Sequence, residues 1–155
     1  MIHRHRMFIL GIWLILTAAG DVHSQGRGFG LGVILGEPTG FSMKGWIDPD
    51  AAIDAGLAWS FLHESTFHVH VDYLRHAFHA VTDSGNAPAY YGIGGRIKTG
   101  GAGDDRVGVR IVGGLDYFIP KTTIDLFGEI APILDVAPST RLEINVGIGA
   151  RYFFK

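Results

Sequence analysis

The sequence predicts an all-β chain: an eight-stranded antiparallel up-and-down transmembrane β-barrel over residues 25–155, preceded by a cleaved signal peptide over residues 1–24. Three observations predict it. A basic start is followed by a short apolar run, the remainder alternates with a period of two, and 23 glycines stand against no cysteine and only 18% charged residues. An average soluble domain has about 7% glycine and about 25% charge, so the balance here suits a thin, tightly curved wall. A barrel of about eight strands uses nearly all of the 155 residues and leaves no room for a second module. The lack of cysteine excludes a disulfide scaffold and a thiolate metal site.

At the N-terminus, His3-Arg4-His5-Arg6 is basic and Met7 to Ala19 is almost unbroken apolar sequence. That run is too short for a comfortable membrane-spanning helix. It has the length of the apolar region of a signal peptide, and Val22-His23-Ser24 offers acceptable residues for cleavage after Ser24. Loss of Arg4, Arg6 and Asp21 makes the mature chain one unit more negative than the formal −2 of the whole. No basic stripe points to nucleic acid.

The period of two then marks the strands in turn. Phe29, Leu31, Val33 and Leu35 form the apolar side of the first, and a less regular second covers Phe41 to Ile47. In the third, Ile53, Ala55, Leu57, Trp59 and Phe61 alternate with small residues and Asp54. The fourth is sharpest: in Phe67-His68-Val69-His70-Val71-Asp72-Tyr73 every odd position is apolar and every even one ionisable. Tyr90 to Lys98 is the fifth, Val107 to Tyr117 the sixth, Ile124 to Leu134 the seventh and Leu142 to Phe154 the eighth. Turn chemistry separates them at Gly36-Glu37-Pro38, Asp48-Pro49-Asp50, His63-Glu64-Ser65, Gly100 to Asp105, Ile119-Pro120-Lys121 and Ala137-Pro138-Ser139. Pro132 removes a ladder donor from the seventh strand and predicts a bulge or the membrane boundary there.

Sidedness follows from what each face can accommodate. A water-covered exterior would carry many Lys, Glu, Asn and Thr side chains, whereas the polar face here is mostly Gly, Ala and Ser. Small residues fit the crowded interior of an eight-stranded barrel, and the bulky Leu, Ile, Val, Phe and Trp face has room only outside. Lys44, Arg96, Arg110 and Arg151 are thereby turned inward with Asp54, Asp72, Asp116, Glu129 and Glu143, a mixed-charge lumen that can neutralise itself. With the N-terminus in the periplasm, Phe29, Tyr73, Tyr91, Tyr117 and Tyr152 form a periplasmic aromatic girdle and Trp59, Phe61 and Phe67 an outer one. The longest connection, Arg75 to Pro88, falls on the periplasmic side.

Two stretches carry a resemblance to known proteins. Asn145 to Phe154, with apolar or aromatic residues at alternate positions, resembles the terminal assembly signal of outer-membrane barrels, which implies that Tyr152 and Phe154 are read by the barrel assembly machinery. Lys155 departs from that pattern, since such chains end on the aromatic itself. Gly36-Glu37-Pro38-Thr39-Gly40-Phe41-Ser42, Tyr91-Gly92-Ile93-Gly94-Gly95-Arg96, Gly114-Leu115-Asp116-Tyr117 and Phe127-Gly128-Glu129-Ile130-Ala131-Pro132 together resemble a family of small, largely uncharacterised outer-membrane barrel proteins, related in architecture to the transmembrane domain of OmpA and to OmpX. The resemblance implies location in the outer membrane and no particular activity.

Candidate chemistry is sparse. His68 and His70 share a face with Asp72, and two imidazoles and a carboxylate are adequate ligands for zinc or copper. Same-face residues of one strand stand about 7 Å apart, however, so chelation would need a neighbouring strand, and hydrogen bonding within the polar lumen is the expected role. His63-Glu64-Ser65 at the outer rim has residue types used in acyl transfer, but adjacent turn residues point in different directions. Gly92 to Gly95 and Gly100 to Gly103 precede no helix and make no phosphate cradle. The sequence therefore predicts a non-catalytic integral outer-membrane barrel with a structural or minor surface role, no metal and no cofactor. Its expected surroundings are outer-membrane lipid and, during biogenesis, the assembly machinery, with the chain a monomer. The alternatives are a narrow pore, a lipid A-modifying enzyme and a soluble periplasmic barrel of lipocalin type.

Overall fold

A computed structural model describes residues 28–37, 39–60, 66–100 and 105–154. The expected signal peptide, Phe61, the turn His63-Glu64-Ser65 and Lys155 lie outside the described residues.

Among the described residues eight strands follow one another without a helix between them: β1 (Phe29–Gly36), β2 (Gly40–Trp46), β3 (Ala51–Ser60), β4 (Thr66–Ala77), β5 (Ala89–Thr99), β6 (Arg106–Phe118), β7 (Ile124–Ala137) and β8 (Arg141–Phe154). Each pairs antiparallel with its successor, and β8 returns to β1 to close the barrel. Closure removes both sheet edges, so no row of backbone donors and acceptors is left without a ladder partner. That is the condition for any strand assembly to cross a bilayer. β1 and β8 register with Phe29 opposite Phe154 and Gly32 opposite Arg151, which sets the aromatic end of the last strand beside the start of the first.

The alternation read from the sequence becomes two different solvents. Leu31, Val33, Ile93, Ile111, Ile130, Val146 and Ile148 all project outward and are exposed, as are most other large apolar side chains of the strands. The inward positions between them are mostly buried or glycine, β4 running buried and exposed in strict turn from His70 to Ala77. Glycine on the inner face makes room for large inward neighbours. A Cβ at Gly114 would collide with the ring of Tyr90, and one at Gly149 with the ring of Phe127.

The barrel has a near end, where β1 begins and β8 finishes, and a far end. Phe29, Tyr73, Tyr91, Tyr117 and Tyr152 are exposed on the outer wall toward the near end. Trp59 and Phe67 face each other across β3 and β4 at the far end, and the Phe41 ring lies 5.5 Å from that of Trp59. The first band is the one expected from the sequence, and in the second Trp59 and Phe67 stand where expected, Phe41 joins them, and Phe61 lies outside the described residues. At the far end Gly36 (φ 136°) turns β1 into β2, and the Thr39 hydroxyl both accepts from the Gly36 amide (3.1 Å) and donates to its carbonyl (2.9 Å).

Two features depart from expectation. β4 continues past Tyr73 to Ala77, so the longest connection is shorter than foreseen, covering residues 78–88 at the near end. It folds inward: the amides of Asp116 and Phe118 donate to the carbonyls of Pro88 (3.0 Å) and Asn86 (2.8 Å). Pro132, for its part, causes no bulge and marks no strand end. It sits outward in mid-strand opposite Ile144 of β8, and β7 runs on to Ala137. The register shift in β6–β7 lies instead between Val107 and Gly108, near the far end, where Val136 is the extra residue. The proline has no N–H, and the β6–β7 ladder skips Ile111 and Val112 opposite Pro132 and Ala131 yet keeps one register on either side, so the interruption causes no displacement.

Candidate functional site

Among the described residues chemistry concentrates in the lumen, which is filled by side chains. Near the near end, Trp46, Ala52 and Phe153 form an apolar cluster with Phe78 and Phe118 packed against it. Phe78 comes from the connection 78–88 and lies 6.0 Å from Trp46, ring to ring, so the folded-in loop completes an aromatic floor.

Above the floor the charges begin. Lys44 of β2 pairs with Asp116 of β6, and His76 Nε2 lies 3.1 Å from the same Asp116 oxygen. The Lys44 ammonium also stands 4.9 Å from the Trp46 ring centroid and 5.1 Å from that of Tyr90, so aromatic faces supply part of its solvation. Arg151 of β8 donates to Asp54 of β3 (3.0 Å), approaches Asp116 and Asp125 at 3.8 and 3.7 Å, and lies 3.7 Å over the Phe127 ring. Arg110 of β6 bridges Asp72 of β4 (2.8 Å) and Glu129 of β7, and Tyr90 donates to Glu129 (3.2 Å). Toward the far end Arg96 of β5 binds Asp135 through two nitrogens (3.1 and 2.7 Å) and Glu143 through one (2.7 Å). Glu143 is held as well by Arg106 at 2.7 Å and sits partly exposed at the far mouth.

All nine charged residues expected on the inner face are therefore there, and eight of them, Glu143 excepted, are buried. Burying each ion costs several kcal/mol, which is recovered only with good geometry and satisfied partners. Arg96 and Asp135 meet that requirement, whereas Asp72 Oδ1, Arg110 Nη1, both oxygens of Asp125 and Arg151 Nε and Nη2 are buried without a hydrogen-bond partner within the protein. Reading by alternation missed Asp125, Asp135, Trp46, His76 and Tyr90. Asp125 is in phase with Glu129 and was there to be found. Asp135 lies beyond the expected end of the seventh strand at Leu134, and a strand carried through Pro132 places it inward.

The histidines divide. His79 is exposed on the near-end connection, whereas His68, His70 and His76 are buried in the lumen. Hydrogen bonding was the expected role of His68 and His70, yet Nε2 of His68 and Nδ1 of His70 make no hydrogen bond within the protein. The His68 ring meets His70 edge-on at 5.5 Å. The neighbouring strand that chelation would need is present: Asp54 of β3 registers directly opposite Asp72, and one ligand atom each from Asp54, His70 and Asp72 lie within 4.8 Å of one another.

At the end of β8, Tyr152 and Phe154 both point outward, their rings 5.1 Å apart in an edge-on arrangement, while Phe153 turns inward to the aromatic floor.

No protein-family model and no curated protein sequence matches this chain. Solved structures match its fold. The chain is similar to the N-terminal β-barrel domain of Pseudomonas aeruginosa OprF, with a TM-score of 0.56 and 14% identity over 84% of this chain and 100% of that one. It is similar also to Neisserial surface protein A (NspA), with a TM-score of 0.52 and 13% identity over 81% of this chain and 93% of that one. Both are eight-stranded outer-membrane barrels, and the architecture expected from the sequence is the one observed.

Proposed function

We propose that this chain is a monomeric integral protein of the outer membrane, a closed barrel with a plugged lumen that serves as a structural or minor surface component and carries out no catalysis. The observation that carries the reading is the uniformly apolar outer wall. Large apolar side chains stand exposed on every strand, aliphatic on all but β2, where Phe41 takes that place, a surface that water would not solvate and lipid would. The fold shared with two outer-membrane barrels supports the location. A soluble barrel of lipocalin type would need the opposite arrangement, with its apolar side inward.

The filled interior weighs against a pore. Trp46, Lys44, Arg110 and Arg151 are all at or below 1% exposure, and the aromatic floor crosses the lumen below them. On this reading the near end is periplasmic, and Tyr152 and Phe154 form the part of β8 that the assembly machinery reads before closure against β1.

The test is electrophoretic. The protein extracted with detergent from the outer-membrane fraction and loaded without heating should migrate as a compact species, and boiling should shift it to the mobility of the unfolded chain. A single heat-independent band, or recovery in the soluble periplasmic fraction, would overturn the reading.

A further inference from the structure

The lumen is electrostatically unbalanced, and the imbalance has a location. Among the described residues the buried cations are Lys44, Arg96, Arg110 and Arg151, whereas six buried carboxylates face them. Arg96 and Asp135 satisfy each other near the far end, where Glu143 meets Arg106 and Lys98 in partial contact with solvent. The surplus of two negative charges therefore falls in the rest of the lumen, where Lys44, Arg110 and Arg151 face Asp116, Asp125 and Glu129 and, in its sealed middle, Asp54 and Asp72. These two carboxylates are direct cross-strand neighbours, and like charges so placed repel.

Three further observations converge on that pair. His70 is 2% exposed, and its Nδ1 has no hydrogen-bond partner in the protein. Asp72 is 1% exposed, and its Oδ1 is likewise without a partner while Oδ2 takes the bond from Arg110. Both side chains lie over glycine. A Cβ at Gly56, the register partner of His70 on β3, would collide with the imidazole, and one at Gly94, the register partner of Asp72 on β5, would collide with Oδ1. Glycine on the strands at both sides of β4 thus leaves the space that the His70 ring and the Asp72 carboxylate occupy.

We infer that Asp54, His70 and Asp72 form a binding site for one divalent transition-metal cation of the zinc type in the middle of the lumen. Imidazole nitrogen and carboxylate oxygen are ordinary zinc ligands at about 2.0–2.2 Å. The three ligand atoms lie within 4.8 Å of one another, so side-chain rotation of about 1 Å brings them to the roughly 3.4 Å spacing that tetrahedral coordination sets. Arg151 donates to Asp54 and Arg110 to Asp72, which orients the ligating carboxylates as outer-shell partners do in metal sites. A dication cancels the surplus of two charges without adding a protein cation. The assignment goes beyond the structural role proposed above and gives the barrel a metal-stabilised interior.

The experiment is to refold the untagged full chain into detergent micelles with zinc chloride as the only added metal, remove loosely held ion with a chelating resin, and measure retained zinc per folded chain. Unsubstituted protein should retain one zinc more than the variant His70→Gln, and the variant His79→Gln should match the unsubstituted protein. Equal retention by the unsubstituted and His70→Gln proteins would overturn the assignment and leave protons as the balancing charge. Should His70→Gln fail to show heat-modifiable migration, X-ray absorption at the zinc edge of the unsubstituted protein decides: a shell of light ligands with one imidazole supports the site. Two or more imidazoles, or no zinc retained, would contradict it.

Discussion

Replacing Arg110 with methionine tests whether the lumen holds the barrel together as a connected ionic core. Arg110 is fully buried, donates to Asp72 at 2.8 Å and also bridges to Glu129, so the substitution leaves two carboxylates of different strands without their shared cation. Removing one partner of a buried ion pair costs about 3–5 kcal/mol, because the remaining charge is stranded away from water. With a urea dependence of about 2 kcal/mol per molar, the unfolding midpoint should fall by roughly 2 M. The assay is urea unfolding in detergent micelles, scored by tryptophan fluorescence and by the fraction that keeps the compact gel mobility. Methionine retains most of the side-chain volume, so packing loss contributes little. The triple variant Arg110→Met, Asp72→Asn, Glu129→Gln removes the stranded charges and should recover most of the loss. A midpoint shift under about 0.5 M, or a triple variant no more stable than the single one, would refute the claim that charge pairing and not packing dominates there.

Three other outcomes follow from the same geometry. Ile111 projects outward at the middle of β6, and Ile111→Arg should destabilise the folded barrel in lipid vesicles by about 2–4 kcal/mol, the cost of a cation at the bilayer midplane, whereas Lys121→Arg in the near-end turn should be neutral within about 0.5 kcal/mol. Planar bilayers containing the purified protein should show no stepwise conductance, and regular single-channel steps would contradict the plugged lumen. Phe154→Ala should reduce the yield of compact protein in the outer membrane several-fold while leaving refolding into micelles nearly unchanged; equal losses in both would assign Phe154 a packing role and not one in assembly.

How far the sequence discloses this molecule depends on which side of the wall a residue faces. The outer face was legible because lipid imposes a simple rule, bulky apolar at every second position, and residues such as Phe67, Val69, Val71 and Tyr73 obey it without exception. The inner face obeys a looser rule, since a lumen accepts glycine, aliphatic, aromatic or ion provided the neighbours compensate. Trp46 shows the difficulty: it ends a strand beside the turn Asp48-Pro49-Asp50 with no alternation to mark its side, and it is buried under Phe78 from a connection with no periodicity at all. Pro132 misled in the other direction, because a proline interrupts the ladder only locally and the strand simply continues. Pairings such as Arg151 with Asp54 join residues separated by nearly the whole barrel, and only the closed register of β8 on β1 and β1 on β2 brings them within reach. The coupling of Asp54 to His70 was hidden for the same reason. A single strand displays His68, His70 and Asp72, but the residue that completes a ligand set comes from β3.

The central claim, that the apolar face of this barrel meets lipid, is tested most directly by its own lack of cysteine, which permits one reporter at a time. Single cysteines at Val107, Val109, Ile111 and Leu115, all outward on β6, can be labelled with a nitroxide and the protein reconstituted in phospholipid vesicles. Relaxation by dissolved oxygen, which concentrates in hydrocarbon, should exceed relaxation by a water-soluble nickel chelate at all four positions, with the ratio greatest at Ile111. Relaxation dominated by the nickel chelate along the whole strand would mean that water covers this wall, and the membrane-barrel account would fail.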